Sequence, residues 1–282
     1  MVHLGSFCTL EIVKKTDFGY YLNGENFGEI LLPKRYMTAD MNVGKMVSVF
    51  IYLDGEERIV ATTETPTACV GEFAYLKVKS VEQIGAFMEW LENKDLLVPF
   101  KEQKIRMEAG KSYVVYIYED RVTNRIAASM KLEKFFTKIK PDYRFGEEVN
   151  LLVWTPTDLG FKVIVDGKYL GLIYKNEIFT RVQTGQKVNG YLKKVRDDGK
   201  LDITLQAPGY QRINPNAEKI IQMLKKSGGF LPYNDKSDAE IIYAIFHMSK
   251  KTYKQAIGNL YKSKTITIED DGIRIAVQES KS

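Results

Sequence analysis

The stretch Gly71-Glu72-Phe73-Ala74-Tyr75-Leu76, continued by Gly85-Ala86-Phe87-Met88 and closed by Gly110, decides how three quarters of the chain is read. Its three glycines stand 14 and 25 residues apart. The same gaps separate Gly5, Gly19 and Gly44 before it, and Gly146, Gly160 and Gly185 after it. A spacing held three times marks a tandem array. In 282 residues this leaves room for three small units and one further domain.

Each unit opens on an alternating run that suits a strand: Phe7 to Val13, Phe73 to Val78, Val149 to Val153. The second glycine starts another, in Gly19-Tyr20-Tyr21-Leu22, Gly85-Ala86-Phe87-Met88 and Gly160-Phe161-Lys162-Val163. A third strand is predicted at Glu29 to Pro33, Leu96 to Phe100 and Gly171 to Tyr174, a fourth at Met46 to Tyr52, Tyr113 to Tyr118 and Val188 to Leu192. The fifth is Arg58 to Thr62, Arg125 to Ser129 and Leu201 to Leu205. Asp54-Gly55, Asp166-Gly167 and Asp198-Gly199 supply turns between strands. Five short strands predict an OB-type barrel, and closure removes the exposed edges that so small a sheet would otherwise carry.

After Gln206-Ala207-Pro208-Gly209 the apolar period changes from two to about 3.6. Asn214 is placed to cap a first helix with Pro215 in its opening turn, and Ala217, Ile220, Ile221 and Leu224 form its apolar face. Ser237 and Glu240 have capping-box spacing for a second helix, with Ile241, Ile242, Ile245 and Phe246 turned inward. Ser249 caps a third, which buries Tyr253, Ala256, Ile257 and Leu260. Strands from Thr265 to Glu269 and Ile273 to Val277 close the chain. The fold class expected is therefore multidomain and mainly β: three tandem five-stranded OB-fold barrels (1–66, 67–142, 143–210) followed by an α+β winged-helix domain (211–282).

The formal charge of +5 is unevenly spread. Residues 1–70 carry −3, whereas residues 71–145, 146–212 and 213–282 carry +3, +2 and +3. Contact with a polyanion should avoid the first barrel. In the third helix Lys250 and Lys251 fill the opening turn, where the helix dipole disfavours cations by about 0.3 to 1 kcal/mol each, and Lys254 continues that face. A bound phosphate would compensate. Against it, the turn of the wing bears Glu269, Asp270 and Asp271.

The pattern of an opening glycine, Gly85-Ala86-Phe87-Met88, a short apolar strand such as Gly171-Leu172-Ile173-Tyr174, and a further glycine resembles the S1 domain, an RNA-binding OB-fold repeat. The resemblance implies a platform of aromatic side chains on the second and third strands, on which single-stranded bases stack. Tyr21, Phe87 and Lys162 stand at the second-strand position, and Leu31, Leu97 and Tyr174 at the third. No barrel holds both rings. Barrel 3 combines Tyr174 and the neighbouring Phe161 with Lys162, Lys175, Lys193, Lys194 and Arg196, and is the first choice among the barrels. Each of these rings equally suits the core, and the lysines a solvated hairpin end.

In the last quarter, Gly229-Phe230-Leu231-Pro232-Tyr233-Asn234-Asp235-Lys236-Ser237, Phe246-His247-Met248-Ser249-Lys250-Lys251 and Ala256-Ile257-Gly258-Asn259-Leu260-Tyr261-Lys262 resemble the conserved virulence factor B, or YitL-like, family. That resemblance spans the chain and implies three S1 domains plus a winged helix, RNA binding that leans on barrel 3 and the winged helix, and a regulatory role in gene expression. The partners expected are single-stranded RNA and, beside it, the ribosome or transcription machinery, with the protein a monomer. The rivals are a winged-helix DNA-binding regulator and a scaffold on ribosomes or transcription complexes.

Catalysis is not expected. His3 and His247 are the only histidines, and neither a phosphate-cradling glycine loop nor a short-spaced ligand set for a metal is present. No cofactor is implied. Cys8 and Cys69 are far apart, the amino terminus has no charged lead or apolar run, and a cytoplasmic, soluble protein with no membrane span is expected.

Overall fold

The computed structural model describes residues 1–178, 180–207, 215–262 and 264–276. Two compact units are present, residues 1–207 and residues 208–282. The first holds all fifteen strands of the array. In barrel 1, β1 (Phe7–Thr16), β2 (Gly19–Asn23), β3 (Glu29–Pro33), β4 (Met46–Leu53) and β5 (Ile59–Thr62) close in the order β1-β2-β3-β5-β4. Barrel 3 repeats this order with β11 (Glu148–Thr157), β12 (Gly160–Val165), β13 (Tyr169–Tyr174), β14 (Lys187–Val195) and β15 (Leu201–Thr204). Between them, β6 (Phe73–Glu82), β7 (Gly85–Leu91), β8 (Lys94–Pro99), β9 (Ser112–Asp120) and β10 (Arg125–Ser129) form a barrel whose β8 and β10 edges are not joined by a ladder.

The glycine spacing has a backbone cause. All nine glycines have positive φ, at +72 to +93° for the first of each set, +148 to +158° for the second and +81 to +87° for the third. The first donates its N–H to strand four, as Gly71 does to the Ile117 carbonyl at 2.9 Å. The third donates to the residue where strand one bulges: Gly44 to Ile12, Gly110 to Val78, Gly185 to Val153. The second lies against strand three so closely that a Cβ on Gly19, Gly85 or Gly160 would come within 2.0, 2.3 or 1.9 Å of a carbonyl oxygen.

The barrels are not separate beads. Phe50, Tyr52 and Val60 of barrel 1 belong to the same apolar cluster as Leu76, Met88 and Trp90 of barrel 2. Barrels 2 and 3 share another, in which Phe73 and Val114 meet Leu152, Trp154 and Ile164 around fully buried Leu132. Leu132 sits in the connecting segment, whose Phe135 stacks on Tyr116 (centroids 4.0 Å apart) and Phe136 on Phe73 (5.2 Å).

The second unit contains α1 (Pro215–Lys226), β16 (Phe230–Leu231), α2 (Ala239–Phe246), α3 (Lys250–Lys262), β17 (Ile266–Glu269) and β18 (Gly272–Ile275), with the strands ordered β16-β18-β17. Three helices and a hairpin make the winged helix. Ala217, Ile220 and Leu224 of α1 pack on Tyr253, Ala256, Ile257 and Leu260 of α3 as the periodicity requires. Ser249 Oγ accepts from the Thr252 N–H at 3.2 Å and so caps α3. Asn214 and Val277 lie outside the described residues.

Two expectations for α2 are corrected. Its cap is Asp238, whose carboxylate accepts from the Glu240 N–H at 2.7 Å, while Ser237 Oγ accepts from the Asn234 N–H. An eight-residue helix presents a narrow inward stripe, so Ile242 and Phe246, one turn apart, are buried, and Ile241 and Ile245 remain 48% and 37% exposed.

Leu132→Ala leaves a cavity where the connector wedges between barrels 2 and 3, and a loss of about 2 to 5 kcal/mol is expected. Chemical denaturation followed by tryptophan emission measures it; a midpoint equal to wild type would remove Leu132 from this role.

Candidate nucleic-acid interface

Strand phase sorts the predicted residues of barrel 3. On β12, Val163 points inward and Lys162 outward, so Phe161 shares the inward phase. It pairs with fully buried Ile173 and packs on the core, which corrects its expected place on the binding face. Register corrects Tyr174 as well. Tyr21 faces Leu31 and Phe87 faces Leu97 across the ladder, but Lys162 faces Leu172. Tyr174 pairs instead with Gly160, the place that Pro33 and Pro99 take opposite Gly19 and Gly85. It is two residues further along the same outward face, half-buried, and its hydroxyl lies 3.2 Å from Asp202 Oδ1.

The cations around Tyr174 differ in how they are committed. Lys193 is bound to Glu177 at 2.6 Å, and Glu177 also accepts from Thr204 Oγ1. The hydrogen bond from Lys193 is the main reason that the Glu177 carboxyl titrates below its ordinary range, against an opposing push from burial. Arg196 lies 3.4 Å from Asp198, which also holds Lys200. Lys175 and Lys194 are exposed and make no ion pair among the described residues. Lys162 Nζ lies 5.2 Å from the centre of the Trp154 ring.

The sequence reading missed the companions of Lys162. Lys104 of barrel 2 lies 5.1 Å from the centre of the same ring and pairs with Glu133 of the connector. Burial alone would raise the Glu133 carboxyl, but the hydrogen bond from Lys104 and the charges of Lys104 and Lys162 hold it low. Trp154 is itself 8% exposed, so it seats the two ammonium groups rather than offering its face to a base. The connector's composition, with Lys131, Lys134, Lys138 and Lys140 around one Glu, was the signal available.

Tyr21 and Phe87 are half-buried on the outward faces of β2 and β7. Lys14 lies 4.6 Å from the centre of the Tyr21 ring and is paired with Glu29. On the winged helix, α3 has no acidic residue in its first turn, and Lys250, Lys251 and Lys254 make no ion pair among the described residues. The acidic turn of the wing is partly neutralised, Asp270 by Lys236 at 3.2 Å and Glu269 by Arg274 at 3.4 Å. Asn234 Nδ2 donates to the Glu269 and Asp270 carbonyls and fixes that turn. Among the described residues no group of three or more His, Cys, Asp or Glu side chains could hold a metal ion, and no helix is long and apolar enough to cross a membrane.

Residues 218–275 match the CvfB-like winged helix domain, and residues 4–64 and 70–131 match the S1 domain. YitL of Bacillus subtilis is 31% identical over 279 residues, covering 94% of this chain and 91% of YitL. The chain belongs to the YitL and conserved virulence factor B family. Conserved virulence factor B of Staphylococcus aureus is 26% identical over 281 residues, covering 96% of this chain and 94% of the relative. A multidomain protein with nucleic acid binding domains from Streptococcus pneumoniae covers 96% of this chain and 98% of its own at 24% identity, with a TM-score of 0.46. In this family member the S1 matches cover barrels 1 and 2, and barrel 3 repeats the strand order of barrel 1. OB-type barrels and winged helices are both nucleic-acid-binding architectures.

Glu177→Gln removes the negative charge that pairs with Lys193 and leaves only a weaker amide-oxygen acceptor, so the ammonium group becomes free to add about one phosphate contact. For a single-stranded nucleic acid laid on this face, binding should tighten and the salt slope should steepen by about 0.7. Anisotropy titrations across a salt series read both; an unchanged slope would show that Lys193 does not face the strand.

Proposed function

We propose that this protein is a non-catalytic RNA-binding regulator of gene expression, which grips single-stranded RNA through barrel 3 and the winged helix. One observation carries the reading: exposed cations without a carboxylate partner among the described residues stand beside Tyr174 and along α3. Lys175 and Lys194 flank Tyr174, and Lys250, Lys251 and Lys254 line α3 without an acidic partner among the described residues. Near the corresponding faces of the first two barrels, Lys14, Lys79 and Arg125 are paired with Glu29, Asp95 and Glu57. An ammonium group already held by a carboxylate gains less from a phosphate, so the strand should prefer the free ones.

In this reading Tyr174 offers its ring to a base, and Asp202 steadies the hydroxyl. Lys162, Lys175 and Lys194 contact phosphates, while the amino end of α3 draws a phosphate to both its N–H groups and its lysines. The functional modules assigned are residues 1–66, 67–142, 143–210 and 211–282, acting as a monomer in the cytoplasm. Ribosomes or transcription complexes are where such an RNA-binding regulator would act.

Fluorescence anisotropy with labelled single-stranded RNA tests the assignment. Tyr174→Ala should weaken binding by about 5- to 150-fold, the equivalent of one stacked base. The Lys250/Lys251/Lys254 triple alanine variant should weaken it and flatten the salt dependence. Wild-type affinity in both would refute the surface chosen, and preference for duplex DNA in competition would favour a DNA-binding regulator instead.

A further inference from the structure

Barrel 2 departs from the repeat at its seam. Barrel 1 joins β3 to β5 through Leu31 and Val60, and barrel 3 joins β13 to β15 through Gly171–Ile173 and Leu201–Ile203, whereas no ladder joins β8 to β10. A partly enclosed cavity of about 370 Å³ lies there. Its lining is mostly apolar: Ile84, Phe87, Trp90 and Leu97 come from barrel 2, and Leu53 of β4 brings in barrel 1. Ile126 of β10 also lines it and packs on the cores of both barrels, so the cavity sits at their junction.

The charges around this cavity do not cancel. Lys94, Lys101 and Arg125 stand in the wall with Glu57, Asp95 and Asp120. Arg125 pairs with Glu57 across the two barrels, and Lys101 lies 4.0 Å from Asp120. Asp95 is held at 3.0 Å by Lys79, which is not part of the wall. Lys94 is therefore left over. It is half-buried, makes no ion pair among the described residues and donates to the Asp54 carbonyl at 2.8 Å, while the Asp54 carboxylate is bound to Arg58 at 2.7 Å. An ammonium group has three donors, so that single carbonyl leaves two of them for a ligand.

A half-buried cation beside apolar walls favours an anion, because the attraction between opposite charges grows where water is sparse. The three carboxylates in the same wall weigh against a second negative charge, which disfavours phosphate dianions. The rest of the cavity suits an apolar body, at a volume within the range of small-molecule sites. We infer that the junction of barrels 1 and 2 binds a small monocarboxylate with an apolar tail, its carboxylate paired with Lys94 and its tail laid against Leu53, Ile84 and Leu97. Such a ligand is neither a nucleotide nor a strand. The site stands or falls independently of the RNA-binding reading.

Isothermal titration calorimetry of the full chain with butanoate, hexanoate and octanoate tests the tail, and octanol in place of octanoate tests the charge. Octanoate should bind at one per chain, with affinity rising about fourfold per added methylene along the series. Octanol on the wild-type protein, and octanoate on Lys94→Gln, should each bind about 10- to 150-fold more weakly, as the loss of one charge-assisted hydrogen bond requires. Lys94→Arg should retain binding. A flat series, or octanol bound as tightly as octanoate, refutes the site on the wild-type protein alone, whatever the Lys94 variants do to folding. Equal octanoate affinity in wild type and Lys94→Gln would place the carboxylate elsewhere and refute it as well. Tyr174→Ala should leave octanoate binding unchanged, and a loss there would move the ligand to barrel 3. Every arm is read without RNA, so failure of this site leaves the proposed function standing, and failure of that function leaves the site.

Discussion

The array rests on three backbone positions per barrel that a side chain cannot occupy. Positive φ at the first and third glycines costs most residues the sterically allowed regions of the backbone, and glycine removes the penalty. The second glycine is constrained by space as well, since strands two and three approach so closely there that a Cβ would overlap a carbonyl oxygen. These contacts set where strand one bulges, where strand two begins and where strand four is met. Other side chains were free to drift, which explains why three barrels with different surfaces keep one set of gaps.

Each of these contacts joins distant strands but admits a single residue type at a fixed spacing, and that spacing was legible in the sequence, as were the local features. The alternation of each strand, the helical faces of α1 and α3 and the Ser249 cap all follow from neighbours within a few residues. Register across a ladder is not local. Tyr174 is preceded by an apolar run like those around Leu31 and Leu97, yet its backbone partner is Gly160, so it falls two residues beyond the expected place. Phe161 shows the related limit: one step along a strand separates the solvent face from the core.

The seams between barrels were hidden for a different reason. Leu132, Phe135, Phe136 and Trp154 come from separate stretches, and no period in the chain announces that they meet. The same holds for Lys104 and Lys162, which share one indole ring from two barrels. Total charge by segment indicated where cations are abundant. It could not show which are already held by a carboxylate, as Lys14 is by Glu29 and Lys193 by Glu177, and which, like Lys175 and Lys194, are not.

The sharing of apolar clusters across both seams bears on how such a chain can change. Solenoid arrays lengthen or shorten by whole repeats because every interface between neighbours is alike, whereas the two junctions here are built from different residues. Here Phe50 packs on Trp90 in the cluster shared with the barrel that follows it, and Phe73 belongs to the junction with the next. Excising or copying one bead would strip its neighbours of buried rings, so the number three is locked by packing, and variation is left to the outward-facing side chains.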